Sequence, residues 1–260
     1  MLTRPLCGVL GHPVAHSRSP AIQNAAFAAT GLDWRYVKLP VEPRLFEETV
    51  RGLPASGYRG ANVTIPHKLA AHDLADELSD AARAIGAVNT LTFRDDGRIV
   101  GDNTDAGGLL DALGQPLPPS ALVLGAGGAG RAAAWALAQV GVEVTVWNRT
   151  PERAVELAAA LGVSASERPG PAELLVNATS VGLRPADSLD GLPLVDARVV
   201  VDLVYGAAQT PFARWAEERG ARLVDGLEVL VRQGARSLEL WTGKAPPVDS
   251  MRRAVVQPVV

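Results

Sequence analysis

"ALVLGAGGAGRAAAWAL", residues 121–137, is the stretch whose reading decides the fold. A short apolar run leads into Gly125, Gly127 and Gly130 at the spacing G-x-G-x-x-G, and an alanine-rich stretch of helical composition follows. The glycine spacing alone is weak; a strand before it and a helix after it turn it into a phosphate-cradling loop. In that role Gly125 permits the tight turn, Gly127 lets backbone amides approach a pyrophosphate, and Gly130 allows close packing of helix on sheet. Ala126, Gly128 and Ala129 complete the loop, and the first helical turn offers N–H groups and a favourable dipole to the phosphates. A merely flexible glycine-rich turn is the competing reading, and the agreement of strand, spacing and helix weighs against it.

About 20 residues further on, a dinucleotide fold that takes NAD carries an acidic residue for the ribose 2′-hydroxyl. This chain instead reads "VWNRTPERA", residues 146–154, with Asn148, Arg149 and Thr150 at that place and Arg153 one turn later. Two guanidiniums and a hydroxyl suit a 2′-phosphate, so NADP is expected over NAD. Solvated arginines at a helix start are the bland alternative, although cations gain nothing from the dipole there.

Outward from the loop, "VEVTVWNRT", "ELLVNAT" and "RVVVDLVY" continue a strand–helix alternation. The same rhythm precedes it in "LCGVL", "PAIQNAAFAATG", "WRYVKLPV", "PRLFEETVRGL" and "RGANVTI", which indicates α/β units with a mostly parallel sheet. "TLTFRDDGRIVGDN" (90–103) interrupts that rhythm with two β-rich arms around Asp96-Gly97, so an antiparallel hairpin is expected to end the first sheet. The proline-rich "QPLPPS" (115–120) reads as a connector. The last long helical stretch, "LEVLVRQGARSLELWTG", sets Leu227, Leu230, Val231, Leu238 and Trp241 near one face, which is expected to pack back on the first domain. The expected organisation is an open α/β substrate domain, 1–103 completed by 227–260, and a Rossmann-type domain, 104–226.

Composition excludes several classes. With 260 residues and 47% hydrophobic content, the chain can bury a core in each of two domains. Twenty-five basic against 28 acidic residues leave a net charge of −3, with no basic field for nucleic acid or an anionic membrane. No stretch approaches the roughly 20 apolar residues of a spanning helix, and the N-terminus has no secretory pattern, so a cytoplasmic protein is expected. The single cysteine, Cys7, permits no internal disulfide, and the four histidines have no metal-ligand spacing, so no metal is expected. A small-molecule partner is expected, and a homodimer is compatible with this reading without being fixed by it.

The first domain holds polar residues with both dull and chemical readings. "GHPVAHSRSP" (11–20) sets Ser17 and Ser19 around Arg18, where either serine could cap a helix with Pro20 at its first position. "GANVTIPHK" (60–68) sets Asn62 and Thr64 on one face of a strand, with Lys68 at a helix start. "IGAVNTL" adds Asn89 and "GDNTD" adds Asp105, each of which can serve a turn or a cap.

Together these segments, with "VLGAGGAGRA", "WNRT", "NATSVGL", "TPF" and "GLEVLVRQGA", resemble the shikimate dehydrogenase family, in order from residue 11 to about 235. The resemblance implies reversible NADPH-dependent reduction of 3-dehydroshikimate to shikimate, on the route to aromatic amino acids. It assigns Lys68 and Asp105 as the catalytic pair, and Ser17 and Ser19 as a donor fork for the substrate carboxylate with Arg18 turned away. Thr64 and Tyr205 would assist at the carboxylate end; Asn62, Asn89 and Gln233 would complete the hydrogen-bond set. On the cofactor side it adds Thr179, Ser180, Val204 and Gly226. The chain departs from the family pattern at Gly206-Ala207-Ala208, Leu183, Glu228 and Leu230, which puts fine contacts in doubt. A quinate/shikimate dehydrogenase of broader substrate or NAD use is the near alternative, and a ligand sensor on the same scaffold, or a methylene-tetrahydrofolate-type dehydrogenase, the more distant ones.

Overall fold

The alternation of short apolar strands with helices builds two α/β units in the computed structural model, which describes residues 4–184, 186–206 and 209–256. One unit comprises residues 1–104 and 230–260, the other 105–229.

In the first unit the order is β1 (Leu6–Gly11), α1 (Ser19–Ala29), β2 (Arg35–Pro40), α2 (Phe46–Gly52), β3 (Tyr58–Val63), α3 (Lys68–Leu74), β4 (Glu77–Leu78), α4 (Asp80–Ile85), β5 (Thr90–Phe93) and β6 (Ile99–Asp102). They form a six-stranded sheet in the order β2-β1-β3-β5-β6-β4, in which β5 alone runs against the others. The hairpin at Asp96-Gly97 is present, with Gly97 at φ +87°. It does not end the sheet, however: β4, two residues long and too short for periodicity to signal, pairs with β6 and takes that edge.

A helix α5 (Thr104–Leu113) leads to β7 (Ser120–Leu124), α6 (Gly128–Gln139), β8 (Glu143–Trp147), α7 (Pro151–Leu161), β9 (Ser164–Ala165), β10 (Leu174–Asn177), β11 (Val199–Asp202), α8 (Pro211–Glu218) and β12 (Arg222–Val224). The sheet is wholly parallel, ordered β12-β11-β10-β7-β8-β9. Alternate residues supply two cores. Ala121, Val123, Leu174, Val176 and Val201 join one, and Leu122, Leu124, Leu175 and Val200 join the other with Phe212 and Trp215 of α8. Burial on both faces explains why these strands read as continuous apolar runs.

The chain ends in α9 (Gly226–Thr242) and α10 (Val248–Val256). From residue 230 onward α9 belongs to the first unit, and α10 packs on α1. The buried face of α9 differs from the expected one. Val231 and Leu238 are buried on it, but Leu227 and Leu230 are only half-buried, and Gln233, Gly234 and Ser237 share the interior. On β3, Ala61 and Val63 enter an apolar core, so Gly60 and Asn62 face the other way, toward α9. Asn62 meets Ser237 (Nδ2 to Oγ 2.9 Å), and Gly60 meets Trp241, whose indole nitrogen donates to the Leu91 carbonyl at 3.0 Å. Four helix residues advance about 6 Å and two strand residues about 6.6 Å, so the two faces keep step.

A Cβ at Gly60 would stand 2.2 Å from the indole nitrogen, and the ring is held in place by the Leu91 carbonyl. Gly60→Ala is therefore expected to destabilise the first unit by about 1–3 kcal/mol. Urea denaturation checks this; an unchanged midpoint would show that the indole can give way.

Candidate active site

Polar residues of the first unit converge on one edge of its sheet. The chain runs from β1 to β2 on one side of β1 and then to β3 on the other, so the carboxyl ends of β1 and β3 flank a topological switch point, where open α/β sheets bind ligands. Ser17 and Ser19 follow β1, and Thr64 and Lys68 follow β3. Because β5 is antiparallel, its beginning reaches the same edge and brings Asn89 and Thr90 there, while β6 ends there before Thr104; Asp105, in the first turn of the next helix, opens the second unit.

Ser17 and Ser19 are both buried. Neither caps α1 as expected: the cap position is Arg18, with no side-chain bond, and Ser19 is the first helical residue, ahead of Pro20. The Ser17 hydroxyl instead accepts from the Ser19 amide at 3.3 Å. Arg18 does turn away, donating to the Val255 carbonyl at 3.1 Å. Lys38 donates to the Ala15 carbonyl and braces the turn. Thr64 lies just past β3, half-buried, its amide still donating to the Leu10 carbonyl. Lys68 opens α3, half-buried, with its carbonyl accepting from the Val88 amide.

Asn62, Asn89 and Gln233 are brought together in one buried network. The Asn89 amide donates to Gln233 Oε1 at 3.3 Å and to Thr104 Oγ1 at 3.0 Å, and its oxygen accepts from the Thr104 amide at 2.7 Å. Asn62 donates to Ser237 and to Thr90, and accepts from the Tyr36 hydroxyl at 2.8 Å. Thr90, Thr104 and Ser237 form a triangle of hydroxyls with sides of 3.0–3.1 Å. Four members were not singled out in the sequence: Tyr36, Thr90, Thr104 and Ser237. Thr90 and Thr104 sit inside the quoted motifs, and Ser237 is one turn beyond Gln233, so helical spacing was the available signal.

Beside Lys68, His67 is buried, its Nε2 paired with the Val41 carbonyl at 2.8 Å and its ring stacked on Phe46 at 4.5 Å. Burial holds its pKa below the ordinary value against that carbonyl, and the His12 charge adds to the lowering.

In the second unit the loops gather likewise at the carboxyl edge, around the switch point at β7. Gly125 has φ +109°, and a Cβ there would lie 2.7 Å from the Ala178 carbonyl oxygen. A Cβ at Gly130 would lie 1.9 Å from the Gly125 carbonyl oxygen. Gly127 is exposed, with nothing within 4 Å of its Cβ position, so its backbone is open to a ligand. Gly128 and Ala129 form the first turn of α6, where N–H groups lack helical partners. Asn148 ties β8 to the loop, accepting from the Ala126 amide at 3.2 Å and donating to the Thr150 carbonyl at 2.9 Å. Arg149, Thr150 and Arg153 are exposed, and neither arginine is held by a carboxylate among the described residues. This donor set fits a pyrophosphate on the loop and a 2′-phosphate beside β8.

On the other side of β7, the Thr179 hydroxyl is committed to the loop itself, donating to Asn177 Oδ1 at 2.7 Å and accepting from the Val181 amide at 3.1 Å. Ser180 and Leu183 are exposed, Val204 is buried and Tyr205 half-buried. Gly226 opens α9 against the carbonyls of Asp202 and Val204. Of the departing loop, Gly206 is exposed, while Ala207 and Ala208 lie outside the described residues. Glu228 and Leu230 are half-buried. Sequence reasoning also passed over Asp202, buried at the end of β11, whose pKa burial pushes up against hydrogen bonds from Thr210, Val204 and Asn177, with the Asp225 charge adding to the rise. Among the described residues no group of three or more His, Cys, Asp or Glu could hold a metal, and no helix is long and apolar enough to cross a membrane.

A parallel sheet with a glycine-rich nucleotide loop, joined to a second α/β unit with its own polar edge, defines the class of a two-domain dinucleotide-dependent oxidoreductase. Family models agree along the chain: the shikimate dehydrogenase substrate binding domain over residues 9–91, shikimate / quinate 5-dehydrogenase over 116–173, and the shikimate 5′-dehydrogenase C-terminal domain over 226–256. The protein named shikimate dehydrogenase (NADP(+)) from Anaeromyxobacter dehalogenans is 47% identical over 267 residues, spanning 96% of this chain and 95% of that one. Shikimate 5-dehydrogenase from Thermus thermophilus, solved with NADP(H) and shikimate, superposes with a TM-score of 0.88 at 43% identity, covering 97% of this chain and 98% of that one. The Aquifex aeolicus enzyme gives a TM-score of 0.91 at 37% identity, covering 99% of each. The chain belongs to the shikimate dehydrogenase family.

Two outcomes are expected. Gly130→Ala forces backbone apart and costs about 1–3 kcal/mol in denaturant unfolding, while Gly127→Ala costs far less; equal losses would contradict the packing. For His67, the folded pKa lies below the unfolded one, so the unfolded chain takes up the proton first. Its stability contribution is complete above about pH 6.5 and is lost as pH falls toward the lowered value. Melting temperature should drop on acidification from neutral pH, and His67→Gln should flatten that slope; an equal slope in the variant points to other groups.

Proposed function

We propose that this chain catalyses the reversible NADPH-dependent reduction of 3-dehydroshikimate to shikimate, on the route to chorismate and the aromatic amino acids. The observation that carries this reading is family membership along nearly the whole chain, with both Lys68 and Asp105 in place. Residues 1–103 with 227–260 serve as the substrate domain and 104–226 as the cofactor domain.

Ser17 and Ser19 donate to the substrate carboxylate, with Thr64 and the Tyr205 hydroxyl at the same end. Asn89 and Gln233 hold ring hydroxyls. Asn62, whose amide is engaged by Tyr36, Ser237 and Thr90, acts as their support rather than as a grip on substrate. NADPH, when bound, supplies hydride to the ketone carbon. Lys68 gives its proton to the oxygen as charge develops there, and takes one back in the oxidative direction; Asp105 orients the ammonium. Gly125 to Ala129 cradle the pyrophosphate, and Arg149, Thr150 and Arg153 with Asn148 surround the 2′-phosphate. Thr179, Ser180, Val204 and Gly226 line the nicotinamide end. The lone, buried Cys7 suits the reducing cytoplasm.

The test follows nicotinamide absorbance with shikimate or quinate, each with NADP or NAD. Strong reduction of NADP by shikimate alone is expected. Turnover of quinate or NAD would move the assignment to a quinate/shikimate dehydrogenase. Lys68→Ala should lower kcat by about 10²-fold or more while shikimate still binds; unchanged turnover would remove Lys68 from the chemistry.

A further inference from the structure

We propose that Asp202, with Asn177 and Thr210, is a positioning latch that sets the nicotinamide half of the cofactor site; the proposal rests on the NADP reading above. The two loops that follow β10 and β11 are both tied to this one buried carboxylate. Its Oδ1 accepts from Asn177 Nδ2 at 2.8 Å, at the end of β10, and from the Val204 amide at 3.1 Å. Its Oδ2 accepts from the Thr210 hydroxyl. Thr210 also caps α8, accepting from the Ala213 amide at 3.0 Å, so the helix start is fastened to the same carboxylate. Asn177 passes the restraint on: its oxygen accepts from the Thr179 amide and hydroxyl, and its amide nitrogen also donates to the Val181 carbonyl at 3.2 Å.

Every polar atom of the Asp202 and Asn177 side chains is thus spent inside the unit, and both residues are buried, so neither is placed to touch a ligand. What they control is the course of the backbone at Thr179, Ser180 and Val204. The two loops also lie against one another: a Cβ at Gly182 would stand 3.4 Å from Thr210 Cβ and 3.5 Å from Val204 Cγ1. In the sheet order, β10 and β11 lie on the opposite side of β7 from β8, which leads directly into Asn148, Arg149 and Thr150. A dinucleotide lying across the switch point meets β8 with its adenosine half and β10 and β11 with its nicotinamide half. The latch therefore acts on one half of the cofactor only. The same reading absorbs "TPF" (210–212), a motif with no part in the chemistry above: Thr210 closes the latch, and Pro211 starts α8.

The experiment compares Kd for NADP with Kd for adenosine 2′,5′-bisphosphate, a fragment that lacks the nicotinamide, in the parent, Asp202→Ala, Thr210→Val and Thr210→Ser. Asp202→Ala and Thr210→Val are expected to weaken NADP binding about tenfold and to leave the fragment within about twofold, and Thr210→Ser to restore NADP binding. Thr210→Val, the milder change, keeps the test open if Asp202→Ala does not fold. Equal weakening of NADP and fragment, or no weakening of either, overturns the latch while leaving the NADP reading intact. A parent that binds the fragment but not NADP, or neither, overturns the cofactor reading and the latch with it.

Discussion

The missing side chain at Gly60 is the constraint on which the first site depends. It lets the Trp241 indole lie directly on β3, and that contact sets the height of α9 along the strand. One turn up the helix Ser237 then reaches Asn62, and one turn further Gln233 arrives at the sheet edge beside Asn89. A buried amide left unpaired costs about 1–3 kcal/mol. The pairs around Glu77, with Arg94 and Arg98, lie at the surface, where water screens them and they add little. The interior network, and not the surface ion pairs, therefore decides where α9 sits.

The second unit solves a similar problem with a charge. Taking a carboxylate out of water is costly unless its lone pairs are met, and Asp202 meets donors from two side chains and one backbone amide. The two units thus hold their ligand-facing edges by different means. Neutral amides and hydroxyls carry one, and a carboxylate at the end of a strand carries the other.

Much of this was legible in the sequence, because the relevant signals are local. The loop at Gly125 and Gly130 depends on residues within a few positions, as do the hairpin at Asp96-Gly97 and the strand runs buried on both faces. β4 was not legible, since two residues carry no period, and the serine cap failed because Ser19 had already entered the helix. The inner face of α9 misled for another reason. Hydrophobic spacing favours Leu227 and Leu230, whereas the interior it meets is polar and takes Gln233 and Ser237. Asn177 and Asp202 come together only through parallel strand pairing, and Thr210 only through the loop that returns from β11 to α8, neither of which residue spacing announces.

The direction of β5 has one more effect. Had it run parallel to its neighbours, Asn89 would have entered the sheet at the opposite edge, a strand's length of about 13 Å from β3's exit. Running antiparallel, it keeps Asn89 at the edge with Thr64 and Lys68 and sends the tip at Asp96-Gly97 to the far rim, exposed and with open space around Gly97. That tip is a natural point of attachment, where a fluorophore, an affinity handle or an inserted peptide can be carried without crowding the chemistry.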